Sequence, residues 1–144
     1  MSRMTIHRRY RFSASHRLHA AGLPEAENRQ IFGKCNNPFG HGHNYILEVH
    51  VAGPVDAETG LVVNIEALDG LVNDRFLAVA ANHDLNRLDW FKGRVSTTEN
   101  LARVAEDVLR SAWSAAFPAP GPQLNGVRVM ETRRNTIDTS GARQ

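Results

Sequence analysis

The sequence is poor in cysteine, and its single thiol, Cys35, cannot close an intrachain disulfide. That scarcity fits a reducing compartment and leaves the thiol for burial or for chemistry. Long apolar runs are absent too: nothing approaches the roughly 18 apolar residues of a membrane span, and no membrane contact is expected. The N-terminal stretch MSRMTIHRRYRF is basic but lacks an apolar core and a small-residue cleavage site. It does not read as a secretory signal, so a cytoplasmic location is expected. Neither sign of charge dominates: 17 Lys and Arg are interleaved with 15 Asp and Glu, for a net charge of +2. Without a nucleic-acid motif, no nucleic-acid partner is expected; the basic residues read first as solvated surface and second as contacts for a small phosphorylated substrate. Internal repeats and low-complexity segments are lacking as well. A chain of 144 residues can bury one core and is too short for two, which predicts a single domain over 1–144.

What the chain does contain is alternation. From Met4 to His16 the even positions are apolar apart from Arg8 and end in His16, which predicts a half-buried strand. From His41 to Val51 the odd positions read His41, His43, Tyr45, Leu47, Val49 and Val51, a second strand with two histidines on its apolar face. Residues 17–40, rich in glycine and proline, read as a long functional loop. Asn64 is the expected N-cap of a helix with the stripe Ile65, Leu68, Val72, Phe76 and Val79. A second helix opens at Ser96-Thr97-Thr98-Glu99, read as a capping box with Ser96 as its cap. A third strand, Val127 to Thr132, carries the carboxylate of Glu131 after two valines on its inner face. Strands, a helix pair, then strands predict an α+β domain, an antiparallel sheet covered on one face by helices.

The histidines carry the chemistry. A catalytic zinc needs three protein ligands and an open fourth position. His41 and His43 project from one face of a strand and His16 ends another, so three imidazoles can converge. His7 and His50 fall on the polar parity of their strands and His19 lies in the loop, and all three read as ordinary residues. His83, in Asn82-His83-Asp84-Leu85-Asn86, has an adjacent carboxylate that could orient it as an acid or base. Cys35 follows Lys34 in a polar loop, which is compatible with a partly exposed, stabilised thiolate or with an inert buried thiol.

Taken in order, the segments Phe12-Ser-Ala-Ser-His16-Arg-Leu, Phe32-Gly-Lys-Cys35-Asn-Asn-Pro, Gly40-His41-Gly-His43-Asn-Tyr45, Val95-Ser-Thr-Thr-Glu-Asn100 and Glu131-Thr132 resemble the 6-pyruvoyltetrahydropterin synthase family. The resemblance spans roughly residues 10 to 138. It implies a T-fold: a four-stranded antiparallel sheet with two antiparallel helices packed on one face. It also implies assembly of sheets into a barrel, as a homohexamer formed by a dimer of trimers. By the same resemblance one zinc per subunit is held by His16, His41 and His43. Cys35, His83 and Glu131 act on the substrate, Glu131 also anchors the pterin, and Thr97 and Thr98 lie near its ring. The implied reaction converts 7,8-dihydroneopterin triphosphate to 6-pyruvoyltetrahydropterin with release of triphosphate, with Mg2+ as a second ion that could accompany the triphosphate.

One departure stands out. Asn82 replaces the family's Asp before His83, and only Asp84 separates His83 from Leu85. If an acid orients the imidazole, Asp84 is the remaining candidate. Two alternatives follow: 6-carboxytetrahydropterin synthase of the queuosine route, and a noncatalytic zinc and pterin binder. Five residues separate Cys35 from His41, where the carboxy enzyme typically has three, which favours the pyruvoyl product.

Overall fold

A computed structural model describes residues 2–140. Strands β1 (Arg3–His16), β2 (His41–Pro54), β3 (Gln123–Thr132) and β4 (Asn135–Asp138) form one antiparallel sheet in that order. Helices α2 (Ile65–Val72), α3 (Ala78–Ala80) and α4 (Thr98–Ala116) share a hydrophobic core with the inner face of this sheet. The α+β architecture matches the expectation.

Period-two alternation sets the inner face. On β1, Phe12, Ala14 and His16 are buried while Arg9, Arg11 and Ser13 are exposed. Arg8, the exception in that pattern, has a partner: its guanidinium gives two hydrogen bonds to Asp69 of α2, at 2.9 and 2.8 Å, and the Tyr10 hydroxyl donates to the same carboxylate at 2.7 Å. A charged side chain can therefore sit on the helix-facing side because a helix carboxylate meets it in a bidentate pair.

Several expectations need correction. The segment 17–40 is not a plain loop, for it contains helix α1 (Glu25–Phe32) and a 3-10 turn at Gly33–Asn36. Its order comes from side-chain amides: Asn28 bonds the backbone of Ala20, Leu23 and Pro24, and Asn36 bonds Leu18. Asn64 does cap α2, accepting from Ala67 N at 3.0 Å. The predicted stripe then slips, because a π turn at Asn73–Leu77 adds one residue to the helical repeat. Leu68, Val72 and Phe76 are fully buried, but Ala80 takes the inner place expected for Val79, which is exposed. Strand β4 was not read from periodicity. His50 is not on a solvated face either: it is buried beside Glu48, which accepts from Arg9 at 2.9 Å and from His50 Nε2 at 2.7 Å.

Candidate metal centre and active site

Antiparallel pairing places His16 of β1 opposite His41 of β2. The pleat then carries His43 to the same side, and the three rings meet edge to face with centroids 4.7 to 5.1 Å apart. Their ligand atoms lie within 4.8 Å of one another. His16 Nδ1 hydrogen-bonds the Ser96 carbonyl at 2.7 Å, which sets the tautomer with the proton on Nδ1 and the Nε2 lone pair facing the cluster. His16 Nε2 and His41 Nε2 stand 3.1 Å apart. His41 Nδ1 and His43 Nε2 are buried with no hydrogen-bond partner among the described residues. Burial lowers the pKa of His16, as do His41 and His43 against the pull of the Ser96 carbonyl; burial and then His43 lower that of His41. Convergent imidazoles with unused nitrogens, two of them held toward the neutral form by burial, suit a divalent ion of the zinc class.

Two acidic groups and a phenol border the histidines. Glu131 Oε1 lies 4.0 Å from His43 Nε2, and Glu131 Oε2 accepts a hydrogen bond from the buried Thr98 hydroxyl. Cys35 sits in the 3-10 turn, whose position is fixed where Leu18 N donates to the Cys35 carbonyl at 2.8 Å. Cys35 is half-buried, between the two readings open to it, and its pKa is raised, first by burial and then by the Glu131 charge. That direction is opposite to the stabilised thiolate that Lys34 suggested. Tyr45 is fully buried, and burial, Glu131 and Cys35 together keep its hydroxyl protonated.

Helix α4 delivers the second set of contacts. Its cap is Thr97, which accepts from Asn100 N at 3.1 Å, and not Ser96. Ser96 is buried one residue outside the helix, its carbonyl taken by His16. The shift by one residue is what frees Ser96 to hold a metal-ligand candidate. Thr98, expected near the substrate ring, donates its hydroxyl to Glu131.

His83 lies elsewhere. Residues 82–84 run along the outer edge of β1, with Asn82 N bonded to the Ser13 carbonyl at 2.6 Å and Ser15 N to the His83 carbonyl at 3.0 Å. The His83 ring is exposed, and it makes no hydrogen bond to Cys35 among the described residues. It shares with His43 a cleft of about 450 Å³, lined also by Ser13, Asn44 and Asp84. His83 Nδ1 bonds the Ala81 carbonyl at 2.8 Å, so a backbone oxygen, not Asp84, sets its tautomer and leaves Nε2 free. Asp84 is engaged with Asn86 N at 3.0 Å and lies 3.7 Å from Arg87. Asn82 adopts φ 61°, a left-handed conformation that asparagine tolerates.

A second group, His7, Glu48 and His50, also brings three donors within 4.8 Å. Its two rings are stacked, 3.7 Å apart and 18° from parallel, so their in-plane lone pairs do not converge on one ion. Burial would raise the pKa of Glu48, but His50, Arg9 and Arg128 outweigh it and hold the carboxylate ionised. This is an ion-pair network with its acceptors already used.

The chain matches the family model described as 6-pyruvoyl tetrahydropterin synthase over residues 5–142. It is 39% identical over 137 residues to the human 6-pyruvoyl tetrahydrobiopterin synthase, covering 94% of this chain and 90% of that one. It is 39% identical over 127 residues to the enzyme of that name from Poecilia reticulata, covering 88% of this chain and 82% of the other. The structure of Caenorhabditis elegans 6-pyruvoyl tetrahydropterin synthase superposes with a TM-score of 0.85 at 36% identity, covering 96% and 95% of the two chains. A Plasmodium vivax structure at 12% identity and TM-score 0.63 shares the fold. Motifs, sheet order and these likenesses agree: the chain belongs to the 6-pyruvoyl tetrahydropterin synthase family.

Proposed function

We propose that this chain converts 7,8-dihydroneopterin triphosphate to 6-pyruvoyltetrahydropterin with release of triphosphate. The observation that carries the reading is the convergence of three imidazoles, with buried unused nitrogens, beside Glu131 and Cys35. His16, His41 and His43 hold one zinc ion, oriented by the Ser96 carbonyl behind His16. When bound, zinc supplies Lewis acidity to the substrate's side-chain hydroxyls and a positive charge that favours the Cys35 thiolate.

Cys35 Sγ takes the proton from the carbon bearing the hydroxyl. Glu131, held by Thr98, accepts paired N–H donors from the pterin edge, a charge-assisted contact that fixes orientation. His83 Nε2, left free by the Ala81 contact, relays protons from the cleft it shares with His43. A second cleft, about 630 Å³ with Arg17 and Arg94 on its wall, supports a site for the triphosphate, with or without Mg2+. The sheet order leaves β1 and β4 as edges. Pairing of these edges between copies, toward a homohexamer, would remove exposed strand amides. Among the described residues no helix is long and apolar enough to cross a membrane, and a cytoplasmic location is part of the same proposal, as is the single domain over 1–144.

Release of inorganic triphosphate from 7,8-dihydroneopterin triphosphate tests the reading, with zinc-loaded protein beside a Cys35→Ala control. Release at the rate of pterin consumption, lost in the control, is the expected result. Equal rates with and without Cys35 would remove the thiol from the mechanism.

A further inference from the structure

Three side-chain atoms that are buried without a hydrogen-bond partner among the described residues belong to one stripe of β2: His41 Nδ1, His43 Nε2 and the Tyr45 hydroxyl. The first two belong to imidazoles already assigned to the metal. The third has no such account. Tyr45 is 0% exposed, and its ring stacks on Phe12 at 5.1 Å and meets His43 at 5.5 Å and His16 at 6.3 Å. A phenylalanine would make every one of those ring contacts, so the hydroxyl alone needs explaining. A buried hydroxyl with no acceptor keeps its desolvation cost with nothing in return. Tyr10 provides the contrast, since its hydroxyl donates to Asp69 at 2.7 Å. The ring's contacts with His16 and His43 place Tyr45 beside the metal-ligand candidates.

We infer that the Tyr45 hydroxyl is a positioning donor for the occupied centre, giving its hydrogen bond to an oxygen held at the three histidines. That oxygen belongs either to a side-chain hydroxyl of the bound pterin or to a water held at the metal. The inference rests on the reading of this site as a zinc and pterin centre. It predicts opposite effects of one atom on two properties: the hydroxyl weakens the empty fold and strengthens the loaded one.

The test is Tyr45→Phe in the full chain, with Tyr10→Phe as the control that loses a satisfied hydroxyl. Three quantities are read: the Tm of metal-free protein, zinc affinity by competition with a chromogenic chelator, and 7,8-dihydroneopterin binding to zinc-loaded protein by fluorescence. Tyr45→Phe should raise the metal-free Tm by about 3 °C, while Tyr10→Phe lowers it. It should also weaken one of the two affinities about tenfold, the size of a lost hydrogen bond of ordinary strength. Loss in the zinc arm identifies a metal-held water as the acceptor, and loss confined to the pterin arm identifies the substrate hydroxyl. A lower Tm, or failure to fold, would overturn the inference by showing that the hydroxyl is already satisfied within the chain. Unchanged affinities in both arms would overturn it equally, leaving a hydroxyl without function. If the unaltered protein binds zinc but no pterin, the pterin reading of the site fails, and the zinc arm still decides the role of Tyr45.

Discussion

Replacing Thr98 with valine keeps the β-branched shape at the first turn of α4 and removes the hydroxyl that donates to Glu131 Oε2. Thr98 is buried and the Glu131 side chain is only 14% exposed, so water has little room to substitute. A hydrogen bond to an ionised group contributes about 1.5–3 kcal/mol. The expected loss in metal-free protein is therefore about 2 kcal/mol, read as a lower urea midpoint at unchanged slope. Pterin binding should weaken by about tenfold as well, because a carboxylate that loses its support is no longer fixed for two parallel donors. In a Glu131→Gln background the acceptor is neutral, and the same threonine change should cost about 1 kcal/mol less. Thr98→Ser, which keeps the donor, should restore most of the binding. A Thr98→Val protein within about 0.5 kcal/mol of the original, or the same cost in both backgrounds, would refute the claim that Thr98 holds Glu131.

The remaining predictions concern protonation and charge. Burial depresses His16 and His41, so the unfolded chain takes up protons below about pH 6.5 while the folded one resists. Stability of metal-free protein should hold above that pH and fall as pH drops from about 6.5 toward 5; a flat urea midpoint across this range would contradict the assignment. Cys35 in metal-free protein should react with iodoacetamide at pH 8 more slowly than a free thiol, and Glu131→Gln should speed it, because burial and the Glu131 charge both oppose the thiolate. Asn82→Asp should change kcat by less than about threefold, small beside the roughly 100-fold or greater effect of an acid-base group, since the Ala81 carbonyl already orients His83. Glu48→Gln should destabilise the fold by about 3 kcal/mol in urea unfolding, because a buried acceptor of Arg9 and His50 is lost.

Much of this arrangement was legible because it rests on period two. The parity of His16, His41 and His43 is a property of strands alone, and pairing had only to bring β1 and β2 together in register. Glu131 was legible for the same reason, as an acid among inward valines. What escaped depends on contacts that sequence spacing does not encode. The expected stripe put Val79 inside, where the π turn puts Ala80, and Arg8 reads as an error in a strand until Asp69 is placed against it. The role of Ser96 was hidden by its capping signature: both Ser96 and Thr97 can cap α4, and the His16 contact settles which one does. His50 looked solvated because its cover, with Ser140 at 3.4 Å, comes from 90 residues away. Tyr45 read only as an apolar strand position, and its hydroxyl drew attention once the ring was seen to be enclosed.

The most direct measurement is the mass of the pterin formed when zinc-loaded protein meets 7,8-dihydroneopterin triphosphate. The account predicts 6-pyruvoyltetrahydropterin, absent when His16 is replaced by alanine and the metal centre loses a ligand. A 6-carboxy product would contradict the assigned reaction while keeping the site, and recovery of bound but unchanged substrate would contradict catalysis itself.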